Sequence, residues 1–126
     1  MVEDDDSLRA LTAELLTSQG YEVLSAKNGK SALNVAREYP RSIHLLLTDI
    51  VMPEMNGLEL AKHLKTVRSG ISVLYMSGYA GKLLSENGAV GAEISLLSKP
   101  FTKRDLLASV EASLYSHRLK IDDLAP

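Results

Sequence analysis

Four groups of side chains in this sequence could perform chemistry together. Residues 3–6 are all acidic, and Asp49, Ser77 and Lys99 each follow a short apolar run. Clustered carboxylates repel one another and are relieved by a hard divalent cation, here expected to be magnesium. A lysine and a hydroxyl can hold phosphoryl oxygens, and a carboxylate beside the metal can be a nucleophile. The set predicts phosphoryl transfer through an aspartyl phosphate.

Each of these residues alone also has an ordinary structural explanation. An acidic N-terminal run is more often solvated or a helix cap, and Asp49 before a Pro/Gly-containing loop is usually a turn residue. Ser77 before Gly78 is typical of a turn, and Lys99 before a proline is typical of a strand end. Only their joint position at successive strand ends favours the functional interpretation.

The alternation of apolar segments predicts how the chain positions these residues. Apolar residues at helical spacing predict four helices, at residues 7–19, 29–39, 58–68 and 102–119. Short apolar runs predict strands at residues 21–24, 43–47, 71–76 and 94–97. Strands separated by helices form a mostly parallel sheet with helices on both faces, and functional groups gather beyond the carboxyl ends of such strands. We therefore predict one doubly wound α/β domain.

One strand of that sheet is short in sequence. Only Met1 and Val2 precede the acidic run, although a parallel sheet needs an apolar strand before its first helix. The first strand is either very short or lost upstream, and we expect the second. The glycines between Gly78 and Gly91 interrupt helix formation, so a mobile segment is expected there.

Composition excludes several other classes of protein. The chain has 126 residues, of which 45% are hydrophobic and 24% are charged, as in a single folded domain. The absence of cysteine excludes disulfides and thiolate sites, and the net charge of −2 predicts no direct binding of nucleic acid. The sequence has no apolar run of membrane-spanning length and no secretory signal, so we predict a cytoplasmic domain without direct membrane contact.

The chain resembles the response-regulator receiver domain of two-component signalling. Four segments carry the resemblance: VEDDDSLR at residues 2–9, LLTDIVMPEMNG at 46–57, YMSGY at 75–79 and SKPF at 98–101. The resemblance extends from residue 2 to about residue 115. It implies a flavodoxin-like (CheY-like), five-stranded parallel sheet with strand order 2-1-3-4-5, here with a truncated first strand. We assign residues 1–119 to the domain and 120–126 to a tail.

The resemblance also implies roles for individual residues. Asp49 would accept the phosphoryl group, and Glu3 and Asp4 would hold magnesium together with Asp49 and the Val51 carbonyl. A slip of one residue would replace Glu3 and Asp4 by Asp4 and Asp5. Lys99 would pair with the phosphoryl group, and its peptide bond to Pro100 would be cis.

Conformational switching would depend on two further positions. Ser77 would hydrogen-bond the phosphoryl group and draw its loop inward. Leu96 occupies the position of the family's aromatic switch residue, which argues against an aromatic rotamer switch here. Val51 and Tyr79 are bulky where the family controls access of water, so slow self-dephosphorylation is expected.

The implied partners are a histidine kinase or a histidine phosphotransfer domain. The surface of residues 94–119 is the family's usual partner face and would serve a homodimer. The motif sequences are most similar to those of receivers at the C-terminus of hybrid sensor kinases. A stand-alone receiver is also consistent with these motifs. The domain itself would catalyse only its own phosphorylation and dephosphorylation.

Two other hypotheses remain open from sequence. A haloacid-dehalogenase-type phosphatase would use Asp4 as nucleophile and Asp6 as acid/base, but it leaves Asp49 unused, and its later acidic pair could only be Asp122 and Asp123. A pseudo-receiver would keep the fold as an interaction module and never accept phosphate, which the short first strand and Leu96 weakly favour.

Overall fold

A computed structural model of the protein describes residues 1–78 and 95–124. Within these ranges three parallel strands form one sheet in the order β1-β2-β3, namely β1 (Leu45–Asp49), β2 (Ser72–Ser77) and β3 (Ser95–Ser98). Four helices accompany them: α1 (Asp6–Ser18), α2 (Gly29–Glu38), α3 (Gly57–Val67) and α4 (Lys103–Leu124). The architecture is the predicted α/β arrangement. No helix among the described residues is both long and apolar enough to cross a membrane.

Val2 occupies the position of the predicted first strand. It forms parallel bridges to Ala26 on one side and to Thr48 on the other. Its N–H donates to the Leu47 carbonyl (2.7 Å), and its own carbonyl accepts from the Asp49 N–H (3.2 Å). The spatial order is therefore Ala26, Val2, β1, β2 and β3, which agrees with the part of the 2-1-3-4-5 order that the described residues show.

The strand predicted at residues 21–24 is wrong. The backbone there belongs to no strand, and Ala26 alone makes a bridge. Among the described residues, only the main chain of Met1 to Glu3 hydrogen-bonds to this edge from the sheet, at Leu24 and Ala26. The apolar pattern of residues 21–24 is suited to a strand, but it has almost nothing to pair with.

Two buried clusters cover opposite faces of the sheet. One contains Leu60 and Leu64 of α3 together with residues of α2, and the other contains Leu106 and Val110 of α4 together with Leu16 of α1. Burying apolar side chains on both faces is the main stabilising contribution in such a fold. The two clusters make the domain doubly wound, as predicted.

Side-chain caps set where the helices after the site residues begin. Asn56 and Glu59 form a reciprocal capping box at the start of α3. Thr102 and Asp105 do the same before α4, where the sequence predicts it. These caps fix the connections that follow β1 and β3.

Helix α4 continues past residue 119, where its end was predicted, to Leu124. Residues 120–124 contain neither glycine nor proline, and Pro126 is the first residue that cannot continue a helix. The sequence therefore has no stop signal at residue 119.

Candidate functional site

Three carboxylates meet at the carboxyl end of β1. Glu3, Asp4 and Asp49 each offer an oxygen, and these oxygens all lie within 4.8 Å of one another. The backbone brings them together, because the pairing of Val2 with β1 places Glu3 beside Asp49. Glu3 is 1% exposed and Asp49 is 3% exposed, whereas Asp4 is exposed.

Lys99 connects this cluster to β3. Its Nζ lies 2.7 Å from Glu3 Oε1 and 2.5 Å from Asp49 Oδ1. The Lys99 N–H donates to the Ser77 carbonyl (3.0 Å), which holds the ends of β2 and β3 together. The peptide bond between Lys99 and Pro100 is cis, as predicted.

The site carries more negative than positive charge. Three carboxylates face one ammonium, and the second oxygens of Glu3 and Asp49 (Oε2 and Oδ2) are buried without a hydrogen-bond partner among the described residues. Burial raises the pKa of Asp49, while the hydrogen bond and the charge of Lys99 lower it. Unpaired buried carboxylate oxygens are unfavourable, and a divalent cation bound through oxygen would satisfy both. The residues present therefore fit magnesium.

The four consecutive acidic residues have different environments. Asp5 caps α1, since its Oδ1 accepts a hydrogen bond from the Leu8 N–H (2.9 Å). Asp6 is exposed and pairs with Arg9 at 2.6 Å. The geometry therefore brings Glu3 and Asp4 to Asp49 and directs Asp5 to the helix.

Two residues that support the site were not predicted from the sequence. Arg9 donates to the Glu3 carbonyl (2.9 Å) as well as pairing with Asp6, and the spacing of Asp6 and Arg9 was the available signal. Gly57 lies against the backbone after β1. Its N–H donates to the Ile50 carbonyl (2.7 Å), and a Cβ at residue 57 would stand 2.0 Å from the Asp49 carbonyl oxygen.

The remaining predicted residues lie around this cluster. Ser77 ends β2 and is buried, and it lies in register with Ser98 of β3. Val51 is the second residue of the loop after β1, with 60% of its surface exposed. Leu96 is half-buried beside Tyr75. The predictions for Tyr79 and for the segment after Gly78 lie outside the described residues.

Comparison with known proteins identifies the family. The family model described as "Response regulator receiver domain" matches residues 1–111. The response regulator receiver protein CpdR of Brucella abortus (strain 2308) is 38% identical over 114 residues, which are 90% of this chain and 93% of CpdR. Sensor kinase CckA of the same organism is 33% identical over 114 residues, and there the match spans 90% of this chain but only 12% of CckA.

Solved structures give the same result. The crystal structure of the receiver domain from the hybrid histidine kinase CckA has a TM-score of 0.75 at 34% identity, and the match covers 90% of this chain and 94% of that one. The chemotaxis protein CheY4 of Vibrio cholerae has a TM-score of 0.76 at 29% identity, covering 89% and 93%. The chain therefore belongs to the response-regulator receiver domains of two-component systems.

Proposed function

We propose that this domain accepts a phosphoryl group from a phosphohistidine onto Asp49 and signals by a change of conformation. The observation that carries the proposal is the state of the Asp49 carboxylate. Lys99 holds one oxygen, while the other is buried without a hydrogen-bond partner among the described residues, in the cluster that Asp49 forms with Glu3 and Asp4. A buried carboxylate in this state is available both to a cation and to phosphorus.

Glu3, Asp4 and Asp49 would hold magnesium, with the Val51 carbonyl as a further ligand. Carboxylate and carbonyl oxygens are the ligands that this ion prefers. Bound there, magnesium would neutralise charge on the phosphoryl oxygens during transfer. Asp4 is the exposed member of the set, so this carboxylate is the one that an arriving ion meets first.

The transfer exchanges one bond to phosphorus for another. An oxygen of Asp49 forms the O–P bond while the N–P bond of the phosphohistidine breaks, and the electron pair of that bond returns to the imidazole nitrogen. Lys99 leaves the carboxylate oxygen and pairs with a phosphoryl oxygen, and the Ser77 hydroxyl donates to another. Ser77 ends β2, which is the neighbour of β1, and Lys99 follows β3, which lies beyond β2, so both residues reach the rim from the same side of the acceptor.

The new phosphoryl group would act on the ends of β2 and β3. The Lys99 N–H donates a hydrogen bond to the Ser77 carbonyl, so a displacement of either residue would move the ends of both β2 and β3. Leu96 lies on β3 two residues before Ser98, which is in register with Ser77, and it would move with this strand end although it carries no aromatic ring. Slow self-dephosphorylation is also proposed, from the bulk of Val51 and Tyr79 in the sequence.

A histidine kinase or a histidine phosphotransfer domain would supply the phosphoryl group. Two relatives, a response regulator receiver protein and a sensor kinase, support this class of partner. Membership in a larger hybrid kinase, dimerisation through residues 94–119, a cytoplasmic location and a domain limit at residue 119 are further proposals.

Incubation with magnesium and acetyl phosphate, followed by intact-mass spectrometry and peptide mapping, tests the proposal. We expect one added phosphoryl group on Asp49 and none in Asp49→Asn. Asp5→Asn is the matched control, because asparagine also caps a helix, and it should be phosphorylated normally. Phosphate on Asp4 would instead indicate the phosphatase-type chemistry, and no phosphate or beryllofluoride binding would indicate a pseudo-receiver.

A further inference from the structure

The chain passes from the bridge at Val2 to the first residue of α1, Asp6, with only three residues between them. In that space Glu3 and Asp4 face the carboxylate cluster, while Asp5 caps the helix. Asp4, Asp5 and Asp6 are the same residue type, so side-chain chemistry cannot decide which of them faces the cluster. The backbone of this segment has to decide it.

A side chain ends the strand pairing of this segment at Glu3. The Glu3 N–H donates to the Ala26 carbonyl (3.1 Å), as in a parallel ladder. The next bond of such a ladder would join the Glu3 carbonyl to the N–H of Asn28. Instead, the Arg9 guanidinium donates to that carbonyl from Nη1 (2.9 Å). The carbonyl is thereby satisfied, so the chain can leave the sheet directly after Glu3.

The same guanidinium holds the start of α1. Arg9 Nη2 lies 2.6 Å from Asp6 Oδ1, and 22% of the Arg9 side chain is exposed. An ion pair with a carboxylate as exposed as that of Asp6 contributes little to stability by itself. The nitrogens of a guanidinium, however, lie in one rigid plane. Two donors in fixed geometry therefore set the separation between the Glu3 carbonyl and the first residue of the helix.

We propose that Arg9 is a positioning residue, which sets the register of the acidic segment so that Asp4 and not Asp5 faces the cation. The inference rests on the proposed function, since it assumes magnesium in the cluster. Arg9 acts through the backbone, because its side chain donates to the Glu3 carbonyl and to Asp6 and not to the carboxylates of the cluster. Its loss would leave the Glu3 carbonyl without this donor and would allow the segment to shift by one residue.

Magnesium affinity in a double-mutant cycle tests the proposal. Asp4→Asn and Asp5→Asn are each made with Arg9 present and in an Arg9→Met background, and the Kd is measured by calorimetric titration with magnesium chloride. With Arg9 present, Asp4→Asn should raise the Kd about tenfold more than Asp5→Asn does. In the Arg9→Met background we expect this ratio to fall to about threefold or less, because either aspartate can then face the cluster. A general loss of stability affects both variants and cancels in the ratio. A ratio that does not fall would overturn the proposal.

Two further variants separate the geometry of Arg9 from its charge. Arg9→Lys keeps the charge but offers a single nitrogen, which cannot hold the Glu3 carbonyl and Asp6 in fixed geometry, so the ratio should fall here too. Arg37→Met removes a positive charge from the exposed last turn of α2 and should leave the ratio unchanged. Full retention of the ratio in Arg9→Lys, or an equal fall in Arg37→Met, would overturn the proposal.

Amide hydrogen exchange of Leu8 supplies a measurement without magnesium. The Leu8 N–H is held by the Asp5 carboxylate (2.9 Å), so its exchange shows whether Asp5 stays in the cap. Arg9→Met should speed this exchange severalfold, whereas Arg37→Met should not. Unchanged exchange at Leu8 in Arg9→Met would count against the proposal. If the unchanged protein binds no magnesium, the proposed function fails, and the exchange at Leu8 still decides whether Arg9 sets the register.

Discussion

Lys99 places its ammonium nitrogen 2.5 Å from Asp49 Oδ1, while the other oxygen of the same carboxylate is buried and has no hydrogen-bond partner within the described parts of the chain. The same nitrogen also holds Glu3 at 2.7 Å. One cation of the chain is thus shared between two buried carboxylates, and each keeps one unsatisfied oxygen. Lys99 balances one of the three carboxylate charges of the site, so the remaining negative charge favours binding of a second, exchangeable cation.

Replacing Lys99 by methionine should destabilise the protein in the absence of magnesium. Two buried carboxylates then lose their shared cation, which costs on the order of 3 kcal/mol. Urea unfolding with and without magnesium measures the effect. The ion should restore more stability to this variant than to the unchanged protein, because it no longer competes with an ammonium. Lys103→Met, an exposed change at the start of α4, is the control; an equal loss in both variants would contradict the prediction.

Replacing Asp49 by asparagine should stabilise the protein without magnesium. Burial raises the pKa of Asp49, so the ionised carboxylate at pH 7 is less favourable in the folded chain than in the unfolded chain. Asparagine has nearly the same shape and removes that charge. We expect a gain of about 1 kcal/mol, a rise in Tm of several degrees by calorimetry. A fall in Tm would show that the pairing with Lys99 outweighs burial.

Magnesium affinity should distinguish two neighbouring aspartates. Asp4→Asn removes a charged oxygen from the cluster and should weaken magnesium binding about tenfold or more. Asp5→Asn keeps the cap on α1 and should leave the affinity unchanged. The rise of Tm with magnesium concentration measures both. A larger effect from Asp5 would mean that the chain binds the ion one residue out of the observed register.

Gly57 should not tolerate even an alanine. The added Cβ would stand 2.0 Å from the Asp49 carbonyl oxygen, so the backbone beneath the acceptor has to shift. We expect a loss of about 2–4 kcal/mol in urea unfolding. Gly78→Ala is the matched control, since no atom of a described residue lies within 4 Å of its added Cβ. A variant with unchanged stability at residue 57 would show that the loop moves freely.

Arg68 should contribute to stability by satisfying three backbone carbonyls. Its guanidinium donates to the carbonyls of Ala36, Tyr39 and Arg41, and so joins the end of α3 to the end of α2 and the loop after it. Arg68→Ala should cost about 2 kcal/mol, measured by urea unfolding. Arg68→Lys should retain only part of this stability, because an ammonium group lacks the planar geometry that reaches all three carbonyls. Unchanged stability in Arg68→Lys would show that the positive charge is sufficient and the geometry of the guanidinium is not needed.

The sequence was sufficient for the features that depend on strand ends. Asp49, Ser77 and Lys99 each end an apolar run, and parallel strands bring such ends to one rim, so their convergence could be predicted. The capping box formed by Thr102 and Asp105 could also be predicted, because such a box depends on two residues that are only three positions apart.

Other features depend on contacts that composition does not encode. Whether residues 21–24 form a strand depends on pairing with a neighbouring strand, and among the described residues only Met1 to Glu3 hydrogen-bond to this edge from the sheet, at Leu24 and Ala26. Asp4 and Asp5 are the same residue type, and only the hydrogen bond from Leu8 to Asp5 shows which belongs to the helix. The need for glycine at residue 57 comes from a backbone approach across the loop.

Residues 3–6 have different roles, and this restricts which mutations the segment can accept. A substitution changes one carboxylate at a time. Inserting or deleting a single residue would instead move every one of these acidic residues into the position of its neighbour. A cap would then point at the metal site, and a ligand would point at solvent. Chain length between Val2 and Leu8 is therefore as strict a requirement of this domain as the acidic residues themselves.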